Sequence, residues 1–259
     1  MPTDRDSGPI AARYLLDPIV LSIVFIVAVS AVFLAAPWID IVVTDFFYEP
    51  GIGFPAGRNP HARMLRDLNT VFIIAVLTAL LANILIKLAR PERPSPINPS
   101  ASFFIFMTLI AGPVVVVNGI FKTFSGRPRP SNVDLFGGDF PFVPVWQFAE
   151  HCPRNCSFVS GEGSSAFWAL AVWLVLPPRI RRMVAVPVFV YVAAISLNRV
   201  AFGGHFLSDV LLSWAFMALI IAVAWRWIIE SPPEWLSNAK AEERGTRAGL
   251  ALRRLVRGG

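Results

Sequence analysis

An all-α, polytopic membrane protein with six transmembrane helices in a bundle is the fold class this sequence predicts. Three observations carry that expectation. The 259 residues are 55% hydrophobic and only 15% charged, with a mean hydropathy of +0.61, a composition that soluble domains of this length rarely tolerate. Uncharged apolar runs recur at the length a membrane demands, since a hydrocarbon core ~30 Å thick is crossed by about 20 helical residues. Lysine and arginine are also shared unevenly between the segments that join those runs.

The runs follow one another at roughly Pro18–Trp38, Thr70–Ile86, Ser102–Phe121, Ser164–Leu176, Met183–Leu197 and Leu207–Ile229. The first is too long for a signal-peptide core and lacks a convincing cleavage site, so it is expected to be retained. The fourth is short and reaches spanning length only if its helix begins near Ser160. No repeat or low-complexity tract divides the chain. A single integral domain over residues 1–259 is expected, with about 1–17 and 230–259 as cytoplasmic tails.

With the N-terminus inside, the cytoplasmic segments hold fifteen lysines and arginines and the outer segments eight, of which Lys122, Arg129 and Arg199 belong to the motifs described below. That bias predicts an inner (plasma) membrane protein with both termini cytoplasmic and its outer loops in the periplasm or the extracellular medium. The net charge of +6 then has a simple use. The basic C-terminal tail meets anionic lipid headgroups, at about 1 kcal/mol per basic residue near the surface. A nucleic-acid partner is not expected, because no groove-reading or aromatic-interleaved module accompanies the tail. The oligomeric state is left open.

Three polar islands interrupt the apolar sequence. The first runs from Lys122 through Arg127 to Arg129 and Pro130, the second is Phe158-Val159-Ser160-Gly161-Glu162, and the third comprises Asn198, Arg199, His205 and Asp209. All lie at the outer ends of the third to sixth runs, so they share one depth and can converge. His205 and Asp209, four residues apart at the start of a helix, fall on one face. The carboxylate can accept a hydrogen bond from one imidazole nitrogen and leave the other free to attack an electrophile. Gly203 and Gly204 permit a tight entry. Pro128 and Pro130 hold Arg127 and Arg129 in an extended turn, and arginine forks phosphate oxygens while lysine acts as a point charge. Ser160 stands where a helix N-cap belongs, and the N–H groups of a helix start make an anion site.

Cys152 and Cys156 flank Pro153-Arg154-Asn155 just before the second island. A disulfide is the favoured reading in an oxidising compartment. Two free thiols, or a zinc half-site completed by His151, are the alternatives. Phe46, Phe47, Tyr48 and Phe54 in the first outer loop, with Phe140, Phe142, Trp146 and Phe148 in the second, suit an ordinary interfacial aromatic belt.

In order and spacing the islands resemble the type 2 phosphatidic acid phosphatase superfamily, whose pattern is KxxxxxxRP, then PSGH, then SRxxxxxHxxxD. The resemblance spans Lys122 to Asp209. It implies a cofactor-free, metal-free phosphatase of a lipid phosphate monoester or pyrophosphate. His205 would form a phosphohistidine with Asp209 orienting it, and Lys122, Arg129, Ser160, Gly161 and Arg199 would bind the phosphate. Arg127 lies between the pattern positions and is expected at the rim or against lipid headgroups. Asn198 in place of serine retains hydrogen-bonding ability.

One position departs from the pattern. Glu162 stands where the family has the histidine that protonates the leaving alkoxide, so the acid role falls to Glu162 if that step is catalysed at all. The family's substrates include phosphatidic acid, phosphatidylglycerophosphate, polyprenyl pyrophosphate and lipid A phosphates. A non-catalytic headgroup-binding protein of the same fold is the alternative. A vanadate-dependent haloperoxidase, which shares the anion site, is disfavoured because those enzymes are soluble.

Overall fold

Asp17 accepts a hydrogen bond from the Ile19 amide at 2.9 Å and starts the first spanning helix, α1 (Pro18–Ala35), with proline at the position where a missing N–H costs nothing. The structure, a computed structural model, describes residues 16–257. Arg5 and Arg13 of the expected N-terminal tail lie outside the described residues. After α1 come a short outer helix α2 (Trp38–Asp45), α3 (Pro60–Ala89), α4 (Pro99–Phe124), the paired α5 (Gly161–Phe167) and α6 (Ala169–Leu174), α7 (Pro178–Ala201) and α8 (Leu207–Glu230). A basic helix, α9 (Asn238–Arg257), closes the described chain. The protein is an all-α polytopic membrane protein. Among the described residues five helices (α1, α3, α4, α7 and α8) are long and apolar enough to cross a bilayer.

The fourth apolar run behaves differently from the other five. Its helix does begin at Gly161, capped by Ser160, but it breaks at Trp168 into two short pieces. Trp168 is fully buried, and its indole N–H reaches the Ile105 carbonyl at 3.0 Å and the Thr108 hydroxyl at 3.1 Å on α4. α5 lies in the middle of the bundle, against α7, α8 and α4, so it carries its backbone into the protein interior, where an interrupted helix is tolerated in a membrane.

α3 starts ten residues earlier than its apolar run, at Pro60, because Asn59 caps the helix through the amides of His61 and Ala62. These extra turns extend beyond the apolar run and carry Arg66 to the end of the bundle where Glu162 lies. α4 departs from α-helical geometry from Ile110 to Phe121, where its turns widen to i→i+5 around the internal Pro113. Proline has no amide donor and crowds the carbonyl one turn earlier, and the Asn118 side-chain amide donates to the Pro113 carbonyl at 2.6 Å. Widened turns of this kind recur at functional sites; here the next residue is Lys122.

The core has three tiers. Leu80, Phe104, Trp168, Met217 and Ile221 fill the end near α9. Val29, Phe33, Val117, Phe158 and Leu212 fill the half nearer the three islands. Val133, Phe136 and Phe206 cap it, with Tyr48 and Phe54 packed against them. The loop aromatics thus divide: Tyr48 and Phe54 are part of the cap, while Phe46 and Phe148 are exposed. Large apolar side chains such as Val24, Val27, Val71, Leu81, Val186 and Val190 face outward, which is stable only against lipid. The buried Asn69 donates to Ser165 and accepts from Tyr191, both at 2.7 Å, and so ties α3, α5 and α7; such interhelical bonds contribute about 0.6 kcal/mol each. At the opposite end, α9 packs on α3 through Gly245, against Lys87, and Gly249, against Leu88, and Lys87 pairs with Glu242 at 2.6 Å.

Candidate active site

His205 sits in the turn between α7 and α8 and is 1% exposed. The turn is built around two glycines. Gly203 has φ +63°, and a side chain there would strike the Phe54 ring. A Cβ on Gly204 would lie 2.6 Å from the Arg199 guanidinium, so this glycine lets the cation lie directly beside the histidine loop.

The ring of His205 is held by a backbone carbonyl. Its Nδ1 lies 2.7 Å from the Ser157 carbonyl oxygen and 3.9 Å from the nearer Asp209 oxygen. This corrects the expectation that Asp209 binds the imidazole directly. A carbonyl only accepts, so Nδ1 carries the proton and Nε2 keeps the lone pair. Burial, partly opposed by Asp209, lowers the His205 pKa from its ordinary 6.5 to about 4. The ring is therefore neutral and nucleophilic at physiological pH.

Asp209 acts at one remove. Its Oδ2 accepts the Ser157 hydroxyl at 2.5 Å and the Phe206 amide at 2.9 Å, and its Oδ1 accepts Arg127 Nη1 at 2.6 Å. It thereby fixes both the residue that carries the carbonyl and the residue that follows the histidine.

Arg127 is likewise corrected from a rim residue to a buried one, 1% exposed. Its guanidinium donates to the Val143 carbonyl at 2.7 Å, to Ser208 at 3.0 Å, to Asp209, and to Asp40 Oδ2 at 2.9 Å, while stacking 4.4 Å over Phe206. Arg127, just before Pro128, points inward because each nitrogen of its fork finds an acceptor there. Asp40, on α2, also accepts the Ser208 amide at 2.9 Å and the Ser208 hydroxyl at 2.5 Å. Burial raises the Asp40 pKa, against the pull of Arg127. Arg127→Met should cost about 3–5 kcal/mol, because it strands two buried carboxylates. Melting of the purified variant in detergent measures this, and a wild-type melting curve would refute the buried network. Arg127→Lys should lose most of the same stability, since a point charge cannot reach both acids.

Lys122, Arg129 and Arg199 converge near this histidine. Lys122 Nζ packs so closely over Gly161 that a Cβ there would sit 2.9 Å from it, and it donates to the Asn155 side chain at 3.3 Å. Arg129 donates from Nε and Nη2 to the Asn155 carbonyl at 3.2 and 2.9 Å. Burial lowers the Arg129 pKa, with Glu162 and Asp209 opposing. Arg199 is buried, and its Nη1 has no acceptor among the described residues. A buried guanidinium donor without a partner is costly, and an anion bound here would satisfy it.

Ser160 and Gly161 fall at the start of α5 as expected. The Ser160 hydroxyl accepts the Gly163 amide at 3.0 Å, so it serves the cap, and its own amide donates to the Asp209 carbonyl at 3.1 Å. The amides of Gly161 and Glu162 belong to the first turn, where no helical acceptor exists. Glu162 is engaged on both oxygens, with Arg199 Nε on one and Arg66 Nε at 3.2 Å on the other. Asn198 donates to the Ala62 carbonyl at 3.0 Å and joins α7 to α3. Cys152 and Cys156 are joined in a disulfide with Cα atoms 5.6 Å apart, and His151 packs its ring 5.4 Å from that of Phe140.

Four contributors had not been singled out: Ser157, Asp40, Arg66 and Asn155. Asp40 had a signal, an acid lodged between apolar residues at the end of a span, which is expensive without a partner. Ser157 had none, because its decisive atom is a backbone carbonyl.

The fold and this constellation define a helical membrane protein with a buried neutral histidine set among three cations. The chain belongs to the PAP2 superfamily, whose model matches residues 100–232. That stretch contains all three islands, while Asp40 and Arg66 precede it. The chain is also similar to proteins named lipid A 4'-phosphatase. One from Rhizobium leguminosarum is 44% identical over 119 residues, covering 44% of this chain and 49% of the relative. One from Francisella tularensis subsp. novicida is 42% identical over 118 residues, covering 45% of this chain and 53% of the relative. The chain thus spans about half the length of the curated relatives it matches. No solved structure matches it.

Proposed function

We propose that this protein is an inner-membrane lipid phosphatase that removes a phosphate monoester from a lipid of the lipid A class at the outer leaflet. The observation that carries the reading is the state of His205: neutral, with its lone pair on Nε2 because Nδ1 is committed to the Ser157 carbonyl. In this reading Nε2 attacks phosphorus, the P–O bond to the lipid breaks, and the leaving oxygen takes a proton from Glu162. Water then displaces the histidine and releases inorganic phosphate. Arg199 Nη1, Lys122 and Arg129 hold the oxygens on which charge builds, the usual main source of phosphoryl-transfer catalysis. The names of the relatives support the substrate class, and the substrate is tested by phosphate release in detergent. Lipid A carrying its 4'-phosphate should be hydrolysed at a higher kcat/KM than phosphatidic acid, phosphatidylglycerophosphate or undecaprenyl pyrophosphate. Preference for a glycerolipid would overturn the lipid A assignment and leave the phosphatase reading standing.

The orientation follows from the charge bias. Ser131→Cys, in the exposed loop beside Arg129, should react with a membrane-impermeant maleimide in cells whose outer envelope has been opened, because the native cysteines are tied to each other. Labelling only after lysis of the inner membrane would reverse the topology.

A further inference from the structure

Three consecutive residues, Asn155, Cys156 and Ser157, touch Lys122, Arg129, His205 and Asp209. The Asn155 carbonyl accepts two bonds from Arg129, and its side-chain oxygen accepts Lys122. The Cys156 amide donates to the Lys122 carbonyl at 3.4 Å, and the Ser157 amide to the Arg127 carbonyl at 3.0 Å. Ser157 itself holds His205 and Asp209. The strip therefore runs along the first island and joins it to the third.

Ser157 is buried and its place is set by the core around it, whereas Asn155 is exposed. Asn155 adopts φ +54°, a left-handed conformation that asparagine tolerates better than most residues. It is the last residue before Cys156 in a loop closed on itself by the Cys152–Cys156 disulfide. The Cys156 amide, in the same peptide plane as the Asn155 carbonyl, is held by the Lys122 carbonyl, and the disulfide closes the other side of the loop and holds the exposed residues 153–155 against it. Lys122 and Arg129 are both long and flexible, and each loses up to about 2 kcal/mol of rotamer entropy when ordered. A support that orders them before phosphate arrives lowers the entropy lost on binding.

We propose that Asn155 is a positioning residue for the two phosphate-binding cations, and that the Cys152–Cys156 disulfide is what makes it one. The device ties full phosphate affinity to an oxidising compartment, the side of the membrane on which the site is expected. Its kinetic consequence rests on the phosphatase reading; its binding consequence does not. Asn155 touches neither the nucleophile nor the leaving group, so it acts only through Lys122 and Arg129, on binding of the phosphate and on the charge they neutralise as it is transferred.

The test uses the full chain in detergent, with inorganic phosphate and orthovanadate as binding probes and lipid phosphate turnover measured alongside. Asn155→Val, whose branched side chain opposes a positive φ, should weaken anion binding and raise KM about tenfold, the worth of one or two charge-assisted hydrogen bonds. Its kcat should fall by no more than about the same tenfold factor, because the nucleophile and the leaving group are untouched. Asn155→Gly keeps the left-handed backbone and the carbonyl and loses only the Lys122 contact, so its loss should be about threefold. Wild type reduced with dithiothreitol and the Cys152→Ser/Cys156→Ser variant should match each other and fall in the same direction. Unchanged anion binding in Asn155→Val or in the double serine variant would overturn the proposal, as would a loss in kcat alone. If wild type binds phosphate but releases none from any lipid, the phosphatase reading fails while the binding result still decides this one.

Discussion

His205→Ala should abolish phosphate release, by about four orders of magnitude or more for the loss of a nucleophile, while leaving the protein folded in detergent. The fold should survive because His205 makes one polar contact, to the Ser157 carbonyl, and Ser157 keeps its bonds to Asp209 and to the Arg127 backbone. Asp209→Asn should differ in kind. It slows turnover by disturbing Ser157 and the Phe206 amide together, and it also destabilises, because Arg127 loses one of its two counter-charges. The pH profile gives a second readout. Burial holds His205 near 4 in place of 6.5, so the free enzyme should lose its nucleophile to protonation only as pH falls towards about 4. The stability sign is the same. Between 6.5 and about 4 the unfolded chain binds the proton and the folded chain does not, so stability falls as pH drops through that window. Near-normal phosphate release by purified His205→Ala protein would sink the assignment.

Glu162→Gln is expected to give the second largest loss, about 10²- to 10⁴-fold, the usual contribution of general acid catalysis. Its geometry sets two roles against each other. In the absence of phosphate both carboxylate oxygens hold guanidinium donors, from Arg199 and Arg66. When a phosphate takes over Arg199, one oxygen is released on the side of the reacting group. If that oxygen delivers a proton to the leaving alkoxide, the loss in Glu162→Gln should shrink for an aryl phosphate, whose phenolate leaves unaided. Glu162→His should retain partial activity, being the solution used by the family pattern. An equal loss for good and poor leaving groups would mean that the carboxylate serves only to place Arg199 and Arg66.

Local rules were enough for much of this molecule. Hydrophobic run length located α1, α4, α7 and α8 to within a few residues at most ends, because an apolar helix of bilayer length has no other stable environment. The three islands were visible because a charged residue in such a sequence must serve some purpose. The placement of Ser160 as a cap and the glycine entry to His205 followed from backbone chemistry that acts over a few residues.

The rest depended on which elements meet. Trp168 breaks its own helix because its indole finds acceptors on α4, sixty residues away in sequence. Arg127 and Arg129 alternate with prolines and read alike, yet one is buried by an acid from α2 and the other forks the Asn155 carbonyl. Spacing placed His205 and Asp209 on one face, but it could not foresee that a backbone carbonyl would stand between them. That carbonyl, Ser157, is set by packing of the whole half of the bundle nearer the three islands. Hydropathy and local propensity act along the chain and are written in it. The partner of a buried charge is chosen by burial itself, since only a group already brought within hydrogen-bond reach can offset the loss of water, and that choice belongs to the tertiary structure.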